Sequence, residues 1–190
     1  MIRAPILALG GLMLAGVAAA QDLPVGDPAS GESLMPKCRT CHGADGIAKL
    51  MIAPNIAGEP ASYLGAQLQA YRDGTRQNEM MSVIAKTLSD QDIADIAAWF
   101  TEQTPVSTLS ADPGDAPAIC TACHGADGIA VGEGVPHLAG DSEMYLTAQL
   151  QAFRDGTRGG DVMPGIAAGL SDEDIKVMAR WYASIQLSVE

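Results

Sequence analysis

The sequence predicts an all-α chain in which one small helical domain is written twice. Three observations carry that expectation. Sliding the 190-residue sequence along itself by 82 positions aligns residues 38–100 with 120–182 without a gap, and roughly half of the aligned positions are identical. Each copy has stretches with apolar residues at three- and four-residue spacing, opened by capping residues. No stretch after residue 20 alternates long enough to demand a strand.

Taken in order, residues 1–20 have the layout of a secretory signal peptide. Met1-Ile2-Arg3 is positive, Ile6 to Val17 is apolar but too short to span a bilayer comfortably, and Ala18-Ala19-Ala20 is a small-residue cleavage site. The first domain is expected over 21–105 and the second over 106–190. Asp27-Pro28 suits the start of a first helix, which Pro36 should break. Pro60 at the first helical position opens a second helix to about Arg72, with Leu64, Leu68 and Tyr71 on one face and Gly74 ending it. A loop then carries Met80 and Met81. The last helix begins at Ser89, where Asp92 three residues on makes a capping box, and Ile93, Ile96, Ala97 and Phe100 face inward. Thr104 to Pro117, with three prolines, is the linker and merges into a shortened first helix of the second copy. Helices near Ser142–Arg154 and Ser171–Ile185 complete the plan. The two copies should be related by an approximate two-fold or a simple rotation.

All four cysteines fall in two blocks, Cys38-Arg39-Thr40-Cys41-His42 and Cys120-Thr121-Ala122-Cys123-His124. C-x-x-C-H is the attachment pattern of a c-type haem, with thioethers from the cysteines and one axial iron ligand from the histidine. A zinc site would need the two pairs to converge, and they lie in separate repeats. Disulfides would leave the histidine after each pair as coincidence. Aromatic residues make up only 4% of the chain, which suits small domains whose flat apolar filler is the porphyrin.

The repeat also filters candidates for the opposite iron face. Of nine methionines, only Met81 and Met163 occupy matching positions, each 39 residues beyond its haem histidine. A thioether is a soft iron ligand that raises the potential relative to a second imidazole. Met80 is the neighbouring rival, but its counterpart is Val162. His137 is the one histidine outside the motifs; its counterpart is Asn55, so it reads as a hydrogen-bonding loop residue. The carbonyls of Pro54 and Pro136, twelve residues past each histidine, are candidates to accept the histidine Nδ1 proton. The pairs Arg72/Arg154 and Arg76/Arg158 would contact haem propionates, the opposite domain, or only solvent. Tyr63/Tyr145 and Trp99/Trp181 read as haem-pocket packing with a polar handle.

The net charge is −12; residues 21–105 carry 6 basic against 11 acidic side chains and 106–190 carry 4 against 12. A surface of that sign excludes phosphate-backbone binding, so no nucleic acid partner is expected. It favours a locally basic protein partner by steering, or simply keeps the chain soluble.

Together these motifs resemble the dihaem class I cytochromes c of the cytochrome c4 type. The matching pieces are C-x-x-C-H-G-A-D-G at 38–46 and 120–128, P-N-I-A-G at 54–58 with P-H-L-A-G at 136–140, Y-L-x-x-Q-L at 63–68 and 145–150, the R-D-G-T-R segments, and the Met81 and Met163 regions. The resemblance implies two tandem class I cytochrome c domains related by internal duplication, with two covalently bound haem c groups facing each other across a pseudo-two-fold. Cys38, Cys41, His42 and Met81 would serve the first haem; Cys120, Cys123, His124 and Met163 the second. It further implies a periplasmic electron-transfer protein without substrate chemistry of its own. Its redox partners would be a terminal oxidase, another cytochrome or a flavoprotein dehydrogenase subunit, with association to a membrane complex left open. The cytochrome subunit of flavocytochrome c sulfide dehydrogenase has the same architecture and is the alternative reading. A catalytic dihaem enzyme would need an iron with a labile sixth ligand or a cysteine ligand, and no cysteine lies outside the motifs.

Overall fold

The computed structural model describes residues 23–190; the expected signal peptide, 1–20, lies outside them. The first half begins with α1 (Pro28–Leu34), whose cap Asp27 accepts from the Ala29 amide while Pro28 fills the first helical position. Pro36 forces a 3₁₀ turn over Met35–Lys37, after which α2 (Arg39–His42) carries the first motif. α3 (Ala61–Asp73) buries Leu64, Leu68 and Tyr71 and stops at Gly74. Pro60, expected as its first residue, is instead its cap. α5 (Asp90–Thr101) follows α4 (Met81–Ala85) and opens with the full Ser89/Asp92 capping box.

α1 and α3 both pack on α5. The α1 contact is backbone to backbone: a Cβ on Gly31 would lie 2.1 Å from the Asp95 carbonyl oxygen. Met35, Leu64, Leu68, Ile93, Ile96 and Phe100 form the core, each side chain of this size contributing about 1.5–3 kcal/mol by leaving water.

The second half repeats this with α6 (Ala118–His124), α7 (Glu143–Arg154), α8 (Met163–Ala167) and α9 (Asp172–Ala183). Its capping box uses Ser171 and Asp174. In place of α1 it has a 3₁₀ turn, Pro113–Asp115, that leads into α6, in keeping with the shortened first helix expected there. Its core is built on Leu146, Ala179, Tyr182 and Ile185.

One expectation is corrected. Met81 and Met163 do not sit in open loops; each is the first residue of a short helix, too brief to show a hydrophobic period. The architecture is all-α as expected, with one short ribbon added that the sequence did not disclose. β1 (Pro105–Thr108) and β2 (Gln186–Val189) pair antiparallel, Pro105 with Val189, Val106 with Ser188, Ser107 with Leu187 and Thr108 with Gln186. These segments follow α5 and α9 at near-equivalent places in the repeat. Shifting by 82 turns the Pro105–Val189 pair into Ser107–Leu187 and leaves Val106–Ser188 paired with itself. The ribbon thus carries the approximate two-fold that relates the halves.

Candidate functional site

Each motif ends a helix. α2 and α6 finish at His42 and His124, both 7% exposed. His42 Nδ1 donates to the Pro54 carbonyl at 2.9 Å and His124 Nδ1 to the Pro136 carbonyl at 2.9 Å, the acceptors expected from the sequence. Burial pushes both imidazoles below the usual histidine range, partly opposed by those carbonyls. Each ring is therefore neutral, with its proton fixed on Nδ1 and the Nε2 lone pair free for a metal. Among the described residues the four cysteines form no disulfide. Burial pushes Cys38 and Cys120 up to about 11.

In the second half Cys120, Cys123, His124 and Met163 line one cavity of about 490 Å³, within the roughly 300–1,000 Å³ of sites that enclose a small molecule or cofactor. α7, α8 and α9 supply its apolar walls through Leu146, Leu150, Phe153, Ile166 and Ala179. In the first half Cys38 and Met81 pack, partly buried, against the α3/α5 core. Met80, the neighbouring rival, is 57% exposed. Asn55, Glu59, Tyr63 and Gln67 of the first half also reach the second-half cavity, so the cavity opens onto the contact between halves.

That contact is reciprocal. Arg76 donates to Gln149 (2.7 Å) and to Tyr145 Oη (3.4 Å) across it; Arg158 donates to Gln67 (3.2 Å) and Tyr63 Oη (3.1 Å). The same guanidiniums stack at 4.5 Å on Tyr71 and 4.3 Å on Phe153, residues 82 positions apart. Among the three roles open to these arginines, Arg76 and Arg158 take the cross-domain one. Arg72 and Arg154 instead pair locally with Asp73 and Asp90, and with Asp155 and Asp172. Tyr63 and Tyr145 serve this contact as well as the cavity wall.

The loops after the motifs meet here too. Asn55 Oδ1 accepts from the Ala48 amide and its Nδ2 donates to the Ala139 carbonyl. His137 takes the same position: Nδ1 accepts from the Ala130 amide, so Nε2 bears the proton and donates to the Gly58 carbonyl at 3.1 Å. His137 is thus a fixed loop residue at the contact. Two carboxyls went unrecognised in the sequence, Glu59 (3% exposed) and Asp141 (4%). Glu59 accepts from the His137 amide and Asp141 from the Asn55 amide. The signal was available, because Gly58-Glu59 and Gly140-Asp141 are 82 apart.

These features fit a covalently held haem in each half. The donor set is two thiols, an imidazole with a free Nε2 and a thioether. Arg76 and Arg158 are 7% and 8% exposed with only amide and phenol oxygens as acceptors in the bonds above, which leaves positive charge for a haem's carboxylates to offset. The Trp99 indole nitrogen is buried without a partner among the described residues, whereas Trp181 Nε1 reaches the Ala126 carbonyl.

The fold and paired motifs define a c-type cytochrome with two haem c groups. Residues 28–103 match the family described as cytochrome c, and residues 117–181 match cytochrome C oxidase, cbb3-type, subunit III. The chain is 38% identical to cytochrome c4 of Pseudomonas aeruginosa over 82% of its own length and 87% of that protein. It is 33% identical to a thiosulfate dehydrogenase electron acceptor of Thiomonas intermedia over 85% of each. Reduced cytochrome c4 from Pseudomonas stutzeri superposes with a TM-score of 0.72 at 31% identity, covering 85% of this chain and 100% of that one. The chain belongs to the cytochrome c4 family. It is a periplasmic dihaem electron-transfer protein.

Proposed function

We propose that His42 with Met81, and His124 with Met163, are the axial pairs of two haem irons. Cys38 and Cys41, and Cys120 and Cys123, hold the porphyrins by thioether bonds in units spanning 21–105 and 106–190. The bound group supplies a one-electron iron couple. The chain's residues would hold each centre through an imidazole of fixed orientation and a thioether sulfur, and would wall it with apolar side chains. With both faces closed, no coordination position is left for a substrate, and the function is outer-sphere electron exchange. The observation that best supports this reading is the duplicated histidine-to-proline-carbonyl bond, which presents the same free nitrogen in both halves.

The likeness of the second half to a cbb3-type oxidase subunit supports a terminal oxidase as acceptor. The likeness to thiosulfate dehydrogenase electron acceptors supports a dehydrogenase as donor. The cytochrome c4 relatives favour a free carrier over the haem-bearing subunit of a flavocytochrome c sulfide dehydrogenase. The net acidity, to which Asp172, Glu173 and Asp174 in the first turn of α9 contribute, would steer basic partners.

The test is spectroscopic. Methionine-ligated ferric haem c has a weak far-red sulfur-to-iron band. Met81→Ala and Met163→Ala are each expected to remove about half of it, one of two equivalent centres, and the double variant all of it. A band unchanged in both single variants would overturn the ligand assignment.

A further inference from the structure

The peptide group joining Pro54 to Asn55 faces two ways. Its carbonyl accepts from His42 Nδ1 at 2.9 Å, and its N–H donates to Asp141 Oδ1 of the other half at 2.6 Å. The peptide joining Pro136 to His137 does the same. Its carbonyl accepts from His124 Nδ1 at 2.9 Å, and its N–H donates to Glu59 Oε2 of the first half at 3.1 Å. Each motif histidine is therefore one peptide group away from a carboxyl that belongs to the opposite half.

The geometry points to Glu59 and Asp141 as crossed positioning residues, each setting through one peptide group how strongly the other half's histidine donates to its iron. This rests on His42 and His124 being the axial ligands. Hydrogen bonds in a chain polarise one another. A carboxylate on the N–H side drives negative charge onto the carbonyl oxygen, which pulls harder on the Nδ1 proton. The imidazole gains imidazolate character, its Nε2 becomes a stronger donor, and the oxidised iron is favoured. A charged acceptor makes such a bond roughly twice as strong as a neutral one.

Packing alone does not account for the choice of an acid. Asparagine or glutamine would accept the same N–H, and an ionised carboxyl taken out of water costs several kcal/mol. Yet both positions hold an acid, with side chains of different length, and both are almost fully buried. The arrangement couples the centres: separating the halves removes the acceptor behind both histidines together.

Glu59→Gln and Asp141→Asn keep the shape and an oxygen for the same N–H while removing the charge. They are to be studied in the haem-loaded protein in mildly alkaline buffer. Histidine labelled with ¹⁵N resolves the two Nδ1–H signals in the reduced state, and a redox titration followed by haem-methyl resonances gives each centre's potential. Glu59→Gln is expected to move the His124 signal upfield and raise the second haem's potential, with His42 and the first haem unmoved. Asp141→Asn is expected to do the converse. If an amide variant parts the halves, both acceptors are lost together, and both Nδ1–H signals should move upfield with both potentials raised. With the halves still joined, as nuclear Overhauser contacts between Gln67 and Arg158 report, signals that move equally in both halves, only within the mutated half, or not at all would overturn the relay. In the oxidised wild type the ring protons of His42 and His124 should carry the large paramagnetic shifts of iron ligands. Their absence would overturn the ligation itself, whereas their presence with an uncrossed response overturns only the relay.

Discussion

At the scale of single residues, Gln67 and Gln149 are the neutral hub on which two buried cations depend. Gln67 Oε1 accepts from Arg76 Nη1 at 2.6 Å within its own half and from Arg158 Nη2 at 3.2 Å across the contact. Gln149 mirrors it, with Arg158 at 2.8 Å and Arg76 at 2.7 Å. Removing one amide thus leaves two guanidinium donors short, each worth about 1.5–3 kcal/mol where the donor is charged. Gln67→Leu should lower stability in urea unfolding by about 3 kcal/mol or more on that scale, and Gln149→Leu should match it. In the double variant the losses should fall short of additive, since both changes starve the same pair of arginines. A lysine at Arg158 should not restore the loss, because one ammonium cannot reproduce a planar fork that stacks on Phe153 while bonding Gln149, Gln67 and Tyr63.

At the scale of elements, what the sequence disclosed was local. The capping boxes at Ser89 and Ser171, the inward stripe on α5 and the break at Pro36 all depend on residues within a few positions of one another, and all were legible. The histidine-to-proline-carbonyl bonds were legible too, because the repeat presented the same acceptor twelve positions from each histidine. The ribbon was not, since its strands are four residues long and lie some eighty positions apart, so neither carries an alternation to read. Glu59 and Asp141 escaped because a lone acid after a glycine has a solvated surface as its ordinary home. The ribbon also explains Gly58, which has φ +67 and would bring a Cβ to 2.3 Å from Pro105 Cδ. Its carbonyl is the acceptor for His137. Gly58→Ala combines left-handed strain of about 1 kcal/mol with an overpacking cost of about 1–3 kcal/mol. A drop in the thermal midpoint is expected, together with faster amide exchange in β1 and β2 ahead of the α3/α5 core. A ribbon that exchanges as slowly as the wild type would mean that Gly58 does not seat it.

For the whole molecule, the contact between halves is bounded in pH from both sides. Burial pushes the Glu59 carboxyl well above the usual range, opposed by the His137 amide and reinforced by Asp141; burial likewise raises Asp141 against the Asn55 amide. An acid whose folded pKa lies above its unfolded one contributes stability that is complete below the unfolded value, near 4. That contribution is lost as pH rises through the folded value. His137 behaves in the opposite sense. Burial lowers its pKa, and the Ala130 amide pointing at Nδ1 has no acceptor once the ring is protonated. Its contribution is lost as pH falls below the unfolded histidine value of about 6.5. The two carboxyls should therefore lower the thermal midpoint of the haem-loaded protein as pH rises above about 4, the alkaline limb, and His137 should lower it as pH falls below about 6.5, the acid limb, the two slopes opposing each other in between. Glu59→Gln with Asp141→Asn should flatten the alkaline limb and leave the acid limb in place. His137→Asn, which gives the second loop the residue found in the first, should flatten the acid limb and spare the alkaline one. If both limbs keep their slopes in all these variants, the pH limits arise elsewhere and the carboxyls are ionised in the folded protein at little cost. The same buried acids would then act on the histidines at every pH above the ordinary carboxyl range, because they would be ionised there and the peptide groups between them do not titrate.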